Sequence, residues 1–236
     1  MERPAILNAL SKAMFRGMKN AIAIASDDPH VRYVAITGAG TGFSAGLDIK
    51  EVGGFQTLDS ARSFVYSLVR PFWRQFFDCD KPIVALVNGP AYGAGAEMAL
   101  ASDIVIASRE ATFAFSGGRV GALCCISGIV GPLLMQGRKL VEMNLTGHPV
   151  TATEALRLGL VNYVTPGDRL RRTGEETIRS MDGVSPISNS SFKRIRNDFI
   201  TNRLLDKAHL ELLRAITSPD FRKGSQAFLA KTTPVF

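Results

Sequence analysis

One stretch constrains the fold more than any other: Lys81–Ser102, KPIVALVNGPAYGAGAEMALAS. An apolar, β-branched run, Ile83–Val87, ends at Asn88-Gly89-Pro90. A turn of small residues follows, Gly93-Ala94-Gly95-Ala96, and an apolar helical pattern begins at Glu97. Strand, tight turn and helix in succession call for a mixed α/β fold. The helix start offers unpaired backbone N–H groups and the positive end of a helix dipole. Small side chains there let a ligand oxygen approach the backbone closely. One acid, Glu97, stands in the first turn. Donors for an oxyanion and a carboxylate to move a proton thus come from one segment, which is the pattern of an enzyme site.

The rest of the chain alternates in the same way. Residues 10–26 carry apolar positions at Leu10, Met14, Met18 and Ile22, a helical spacing with Ser11 as cap and Asp27-Asp28-Pro29 as stop. Val31–Thr37 reads as a strand, followed by Gly38–Gly42 and a second small-residue turn, Phe43–Asp48. Residues 58–77 form one long amphipathic helix. Asp103–Ala107 and Ala111–Phe115 are short strands. From Gly128 the pattern is helical (Ile129–Gln136, Arg138–Thr146, Thr153–Leu158), with one strand at Leu160–Val164. Pro166–Arg172 and Gly183–Ser191 read as surface connections, and the helix Pro219–Lys231 is capped by Ser218 with Pro219 at the favoured first position. The pattern is α/β with a helical tail.

Composition narrows the function. A 46% apolar fraction suits a globular chain, and a net charge of +7 is dispersed without a basic block interleaved with aromatics, which argues against a nucleic-acid partner. Val120–Met135, which makes up most of the longest uncharged run, is interrupted by glycines and proline and falls short of the ~20 residues of a membrane span. It reads as a buried loop and helix, with no membrane partner. Cys79, Cys124 and Cys125 form no CxxC pair. Their pattern and the lack of a cleavable leader give a cytoplasmic expectation.

Rival motifs fail on their own residues. VAITGAGTGFSAG (34–46) approaches a dinucleotide fingerprint, but Ser44 stands where the last glycine belongs, and no Tyr-x-x-x-Lys pair exists. There is no G-x-S-x-G elbow. His30, His148 and His209 are scattered among polar neighbours and read as solvated surface. No metal-ligand spacing is present, so no metal is expected.

The two small-residue turns taken together, Phe43-Ser44-Ala45-Gly46-Leu47-Asp48 and Asn88-Gly89 through Gly93-Ala94-Gly95-Ala96-Glu97, resemble the paired signatures of the crotonase, or enoyl-CoA hydratase/isomerase, superfamily. Arg3-Pro4-Ala5-Ile6-Leu7-Asn8 is similar to the family's N-terminal coenzyme A segment. Thr146-Gly147, Glu154-Ala155 and Gly159-Leu160-Val161-Asn162 match its helical region, and Phe228–Lys231 its C-terminal helix. The resemblance implies a crotonase-like spiral of ββα units over 1–165. A C-terminal helical trimerisation region of the same domain would cover 166–236. Family members carry a strand of about ten residues before Arg-Pro; by the resemblance that strand is missing from this sequence, and if its loss is natural a neighbouring strand is left with an exposed edge.

By the same resemblance the catalytic groups are the backbone N–H groups of Leu47 and Ala94, which polarise a thioester carbonyl, and Glu97, which activates water. Ala5, Leu7, Ser44, Ala45, Asp48, Ile49, Tyr92, Gly117, Phe228 and Lys231 fall at substrate-binding positions. Gly117 occupies the place of the family's second acid. The implied activity is hydration of a trans-2-enoyl-CoA in fatty acid metabolism. The alternatives are another crotonase-fold reaction (decarboxylation, hydrolysis or isomerisation of an acyl-CoA) or a weakly active thioester-binding protein. No separate cofactor is implied, because coenzyme A is part of the substrate. The family's assembly is a homotrimer or homohexamer.

Overall fold

The computed structural model describes residues 1–55 and 57–236. Its strands are β1 (Val34–Thr37), β2 (Ile83–Val87), β3 (Ala91–Tyr92), β4 (Ile104–Ser108), β5 (Thr112–Ala114), β6 (Val150–Thr151) and β7 (Tyr163–Thr165). A four-stranded parallel sheet runs β1-β2-β4-β7, with Val34 opposite Ile83, Val84 opposite Ile104 and Ile106 opposite Tyr163. A smaller sheet runs β3-β5-β6, parallel and then antiparallel. β2 is the most continuously apolar strand, as suits a strand covered on both faces. Ile83, Ala85 and Val87 point into the main core. Val84 and Ile106 belong to a second layer under Leu170 and Ile178 of the helix Leu170–Ser180. That helix approaches closely at Gly174, where a Cβ would lie 2.6 Å from the Leu86 side chain.

Strand order explains how the two small-residue turns come together. β1 and β2 are parallel neighbours, so the turns that leave their C-terminal ends emerge side by side. They are stitched together by backbone: Phe43 and Ser44 N–H donate to Pro90 O at 3.0 and 3.1 Å, and Tyr92 N–H to Ser44 O at 2.8 Å. The helix Ala94–Ala101 follows directly, every residue of it buried.

Several elements depart from the sequence reading. Helix 94–101 begins three residues before Glu97, at Ala94. The segment expected as one helix over 58–77 is Leu58–Phe64, a π turn at Val65–Val69, and Arg70–Asp78. Pro71 has no N–H for the preceding turn, and the helix widens there, Arg70 N–H reaching back to Val65 O. β1 starts at Val34 and β7 at Tyr163, each later than expected. Leu160 and Val161 are buried without extending the ladder. Pro186–Asn197, expected in part as a connection, is a helix with Pro186 in its first turn. Ser11 and Ser218 cap their helices as read, accepting from Met14 and Phe221 N–H. His209 is a correction: it is fully buried in the helix Asn202–Ile216, not solvated surface. Among the described residues no helix is long and apolar enough to cross a membrane.

Candidate active site

The N-terminal segment lies across the first turn. Leu10 N–H donates to Gly46 O at 2.7 Å and Asp48 N–H to Leu10 O at 3.1 Å, forming a parallel bridge between Leu10 and Leu47. In such a bridge residues 46 and 48 face Leu10, so the Leu47 N–H points the other way. Ala94 is the first residue of its helix, where no intrahelical partner exists for the N–H. Among the described residues neither N–H has a hydrogen-bond acceptor. The two are brought together at Gly46, whose φ is +86° and at which a Cβ would fall 2.7 Å from Tyr92 O and 3.1 Å from Ala94 N. Only glycine permits this approach.

Leu47, Ala94 and Glu97 line one cavity of about 1000 Å³. Of the sequence-predicted binding positions, Ala5, Leu7, Ala45, Asp48, Ile49, Tyr92, Gly117, Phe228 and Lys231 line it too. Ser44 does not. It is fully buried, donating to Asn8 O at 3.0 Å and accepting from Gly46 N–H at 3.2 Å, so its hydroxyl is consumed in holding the turn. Asp48 likewise has a structural duty. Its carboxylate caps the short helix Ile49–Val52 and meets Arg3 Nη1 at 2.8 Å, locking the N-terminal segment to the turn.

Burial sorts the lining into two ends. Phe15, Val69, Trp73 and Leu212 are almost wholly buried and form an apolar far end. Val69 reaches it from the π turn. Lys50, Arg119, Phe228 and Lys231 are exposed and form a basic, partly apolar rim. The far end escaped the sequence reading, since nothing distinguishes Phe15 or Trp73 from other core aromatics.

Glu97 lies on the same cavity, 3% exposed. Its Oε1 accepts from Ile126 N–H at 2.6 Å and Ser127 N–H at 3.0 Å. Those are orphan donors at the start of the helix Ser127–Leu134, so Glu97 caps a second helix from outside its chain segment. Oε2 accepts no hydrogen bond among the described residues. Loss of hydration outweighs the two N–H bonds, and the carboxyl is pushed up to about 8.

Opposite lies the turn Ser116–Val120. A Cβ on Gly117 would fall 3.0 Å from Cys124 N and 3.2 Å from Cys124 Sγ. The thiol thus occupies the space a side chain at 117 would enter. Cys124 and Cys125 both line the cavity beside Glu97. Burial and the Glu97 charge push both thiols upward, so they stay neutral. The vicinal pair also escaped the sequence reading; it lay inside an uncharged run that looked like plain core.

The model of the enoyl-CoA hydratase/isomerase family matches residues 1–236. The chain belongs to that family. Carnitinyl-CoA dehydratase of Salmonella typhi is 30% identical, the match covering 100% of this chain and 92% of that protein. The enoyl-CoA hydratase domain-containing protein 3, mitochondrial, of Rattus norvegicus is also 30% identical, over 100% of this chain and 79% of that one. Among solved structures, an enoyl-CoA hydratase/isomerase from Pseudoalteromonas atlantica T6c superposes with a TM-score of 0.87 at 27% identity, covering 99% and 93% of the two chains. A carnitinyl-CoA hydratase from Mycobacterium avium gives 0.85 at 29%, covering 100% and 92%. The fold is accordingly the α/β crotonase fold, and this family acts on acyl-CoA thioesters.

Proposed function

We propose that this family member hydrates the 2,3 double bond of a trans-2-enoyl-CoA, and catalyses the reverse dehydration, with Glu97 as its one acid/base group. The observation that carries the reading is the meeting, on one cavity, of the unpaired N–H groups of Leu47 and Ala94 and the buried Glu97. The thioester oxygen sits between the two N–H groups, which stabilise the charge it gains as the enolate forms. One such preorganised donor contributes ~10²–10³ in rate. Glu97 is held through Oε1 and presents Oε2 to water. Oε2 takes a proton as the water oxygen bonds to Cβ, and Glu97 returns that proton to Cα, so the elements of water add to one face. The acyl chain extends toward Phe15, Val69, Trp73 and Leu212. The nucleotide lies at the rim, where Lys50, Arg119 and Lys231 face its phosphates.

Gly117 favours a second reading, in which the same oxyanion site serves decarboxylation or hydrolysis of an acyl-CoA, reactions that need fewer fixed acids. The test is hydration of crotonyl-CoA, followed as loss of enone absorbance across pH. The carboxylate form is required at the outset, so turnover rises with pH through a midpoint at about 8, where Glu97 is half ionised, and levels off above it. Glu97→Gln lowers turnover by ~10²–10⁴. Unchanged turnover in that variant would remove Glu97 from the mechanism. Conversion of a saturated or carboxylated acyl-CoA, with crotonyl-CoA untouched, would favour the second reading.

A further inference from the structure

We propose that Ser127 and Asn144 form a positioning pair that aims the Ile126 and Ser127 N–H groups at Glu97, fixing the orientation and proton affinity of that carboxyl. The inference rests on the catalytic reading of Glu97 given above. Ser127 is fully buried, and its Oγ lies 2.8 Å from Cys124 O and 2.7 Å from Asn144 Oδ1. Asn144 Nδ2 is committed to Leu140 O at 3.0 Å, one turn earlier in the helix Gly137–Thr146. That commitment fixes the amide with Oδ1 toward Ser127 as an acceptor. A single hydroxyl proton is therefore shared between two oxygens, one in the turn 124–127 and one on a separate helix.

This link matters because the turn bears directly on Glu97. Ile126 supplies no side-chain cap to the helix that starts at Ser127. Ser127 Oγ is the side-chain hydrogen-bonding group that ties this turn to the neighbouring helix Gly137–Thr146. Neither Ser127 nor Asn144 lines the cavity, so the pair acts through Glu97 and touches no substrate. No charged side chain among the described residues forms an ion pair or hydrogen bond with Glu97; Asp48, Lys50, Arg119 and Lys231 line the same cavity, as do the neutral thiols of Cys124 and Cys125. The two backbone N–H groups are then what favours its ionised form against burial. With glycine at 117, no second acid compensates for a misdirected Glu97.

Ser127→Ala keeps both N–H groups and deletes only the hydroxyl. Ser127→Thr restores it, and Asn144→Leu removes the pair from the other side. The first readout uses no substrate: the unfolding midpoint is followed against pH for each variant with and without Glu97→Gln, and the Glu97-dependent difference marks where Glu97 titrates. The second is the pH profile of crotonyl-CoA hydration. In Ser127→Ala and Asn144→Leu the Glu97 titration moves up by about one unit, and kcat at neutral pH falls roughly tenfold with KM unchanged. Ser127→Thr behaves as the parent. A lower unfolding midpoint with Glu97 titrating at the parent pH in both variants would overturn the proposal, since a merely structural pair gives that result. If Ser127→Ala does not fold, Asn144→Leu decides alone. Absence of hydration in the parent protein, with the unfolding shift present, would sink the hydratase reading and leave the pair standing.

Discussion

The two sides of the cavity are built by different means. On the side of Leu47 and Ala94 the functional groups are backbone, and backbone holds them: Phe43, Ser44 and Tyr92 are cross-bonded to Pro90 and Ser44, and Gly93 N–H donates to Ala114 O at 2.9 Å. On the side of Ser116–Cys125 stand Gly117, Gly118 and two neutral thiols. Chemistry written in the backbone is indifferent to side-chain identity, so in the mechanism we propose Leu and Ala suffice as oxyanion donors. Chemistry carried by a side chain depends on a single position, as the proposed absence of a second acid at Gly117 illustrates, while the scaffold around it keeps its form. Glu97 belongs to both sides, a side chain from the first held by backbone from the second.

The sharpest test of that bracing compares Glu97 with His209, a second buried titratable group. Burial pushes the Glu97 carboxyl up from 4.5 to about 8 even with two N–H donors. The folded state then holds the proton longer than the unfolded chain. Its contribution to stability is fully present below pH 4.5 and is lost as pH rises to 8, on the order of 4–5 kcal/mol at 1.36 kcal/mol per unit. Glu97→Gln keeps an acceptor for Ile126 and Ser127 and removes this loss, so its unfolding free energy exceeds the parent's most at pH 8 and above. His209 shows the opposite limb. Its Nδ1 faces Leu205 O at 2.7 Å, its Nε2 has no hydrogen-bond partner among the described residues, and burial lowers it from 6.5 to about 4. Here the unfolded chain takes the proton first. Stability is present above pH 6.5 and falls by roughly 3 kcal/mol as pH drops to 4. Denaturant unfolding of the parent, Glu97→Gln and His209→Leu at pH 5, 7 and 9 checks both limbs. A Gln variant no more stable than the parent at pH 9 would mean that Glu97 is not held in a dehydrated seat.

The next effect probes the backbone side directly. Gly46→Ala adds a methyl 2.7 Å from Tyr92 O and 3.1 Å from Ala94 N at a φ of +86°. Neither neighbour is a side-chain end that can swing away, so the turns separate and the donors diverge. Turnover falls by ~10², the effect of losing one oxyanion donor, with a small change in KM. Circular dichroism and a thermal melt separate this from unfolding. Parent-like turnover in a folded Gly46→Ala would show that the spacing of the turns is not what sets the donors.

What the sequence disclosed follows the same division. Ile83–Val87 was legible because β-branched residues in an unbroken apolar run leave little alternative to a doubly covered strand. Spacing and family resemblance singled out the two turns, Glu97 and Gly117, and Leu47, Ala94, Glu97 and Gly117 line one cavity. The N–H groups that hold Glu97 were not, because a backbone donor 29 residues downstream has no side-chain signature. Cys124 and Cys125 were hidden by an uncharged run that any buried loop shares. His209 was misread for a different reason. Its neighbours Lys207 and Arg203 are polar, but Leu205, Leu212, Leu213 and Ile216 stand at helical spacing from it, and that period places it on the buried face. Ser44, taken for a substrate contact, was needed inside the turn, where Asn8 O and Gly46 N–H would otherwise lack partners.

The smallest expected effect lies on the side-chain side, and it decides how much of a hydratase that side retains. Gly117→Glu alone crowds the turn: its Cβ meets Cys124 N and Leu123 C at 3.0 Å and Cys124 Sγ at 3.2 Å. Two of those neighbours are backbone, so the segment must yield by a few tenths of an ångström. The single variant loses about 1–2 kcal/mol of stability, as overpacked sites do, and gains no activity. Adding Cys124→Ala withdraws the sulfur and gives the new carboxylate room beside Glu97. Two carboxylates in one dehydrated site share a proton, so one is ionised and one protonated near neutral pH, the pairing in which one group activates water while the other supplies the proton to Cα. The double variant then hydrates crotonyl-CoA about tenfold faster than the parent, the low end of what a positioned acid contributes because its seat was not shaped for it. A folded double variant no faster than Cys124→Ala would show that the side facing Glu97 no longer has hydratase geometry, and that the reaction is one the oxyanion donors and Glu97 complete without a second acid.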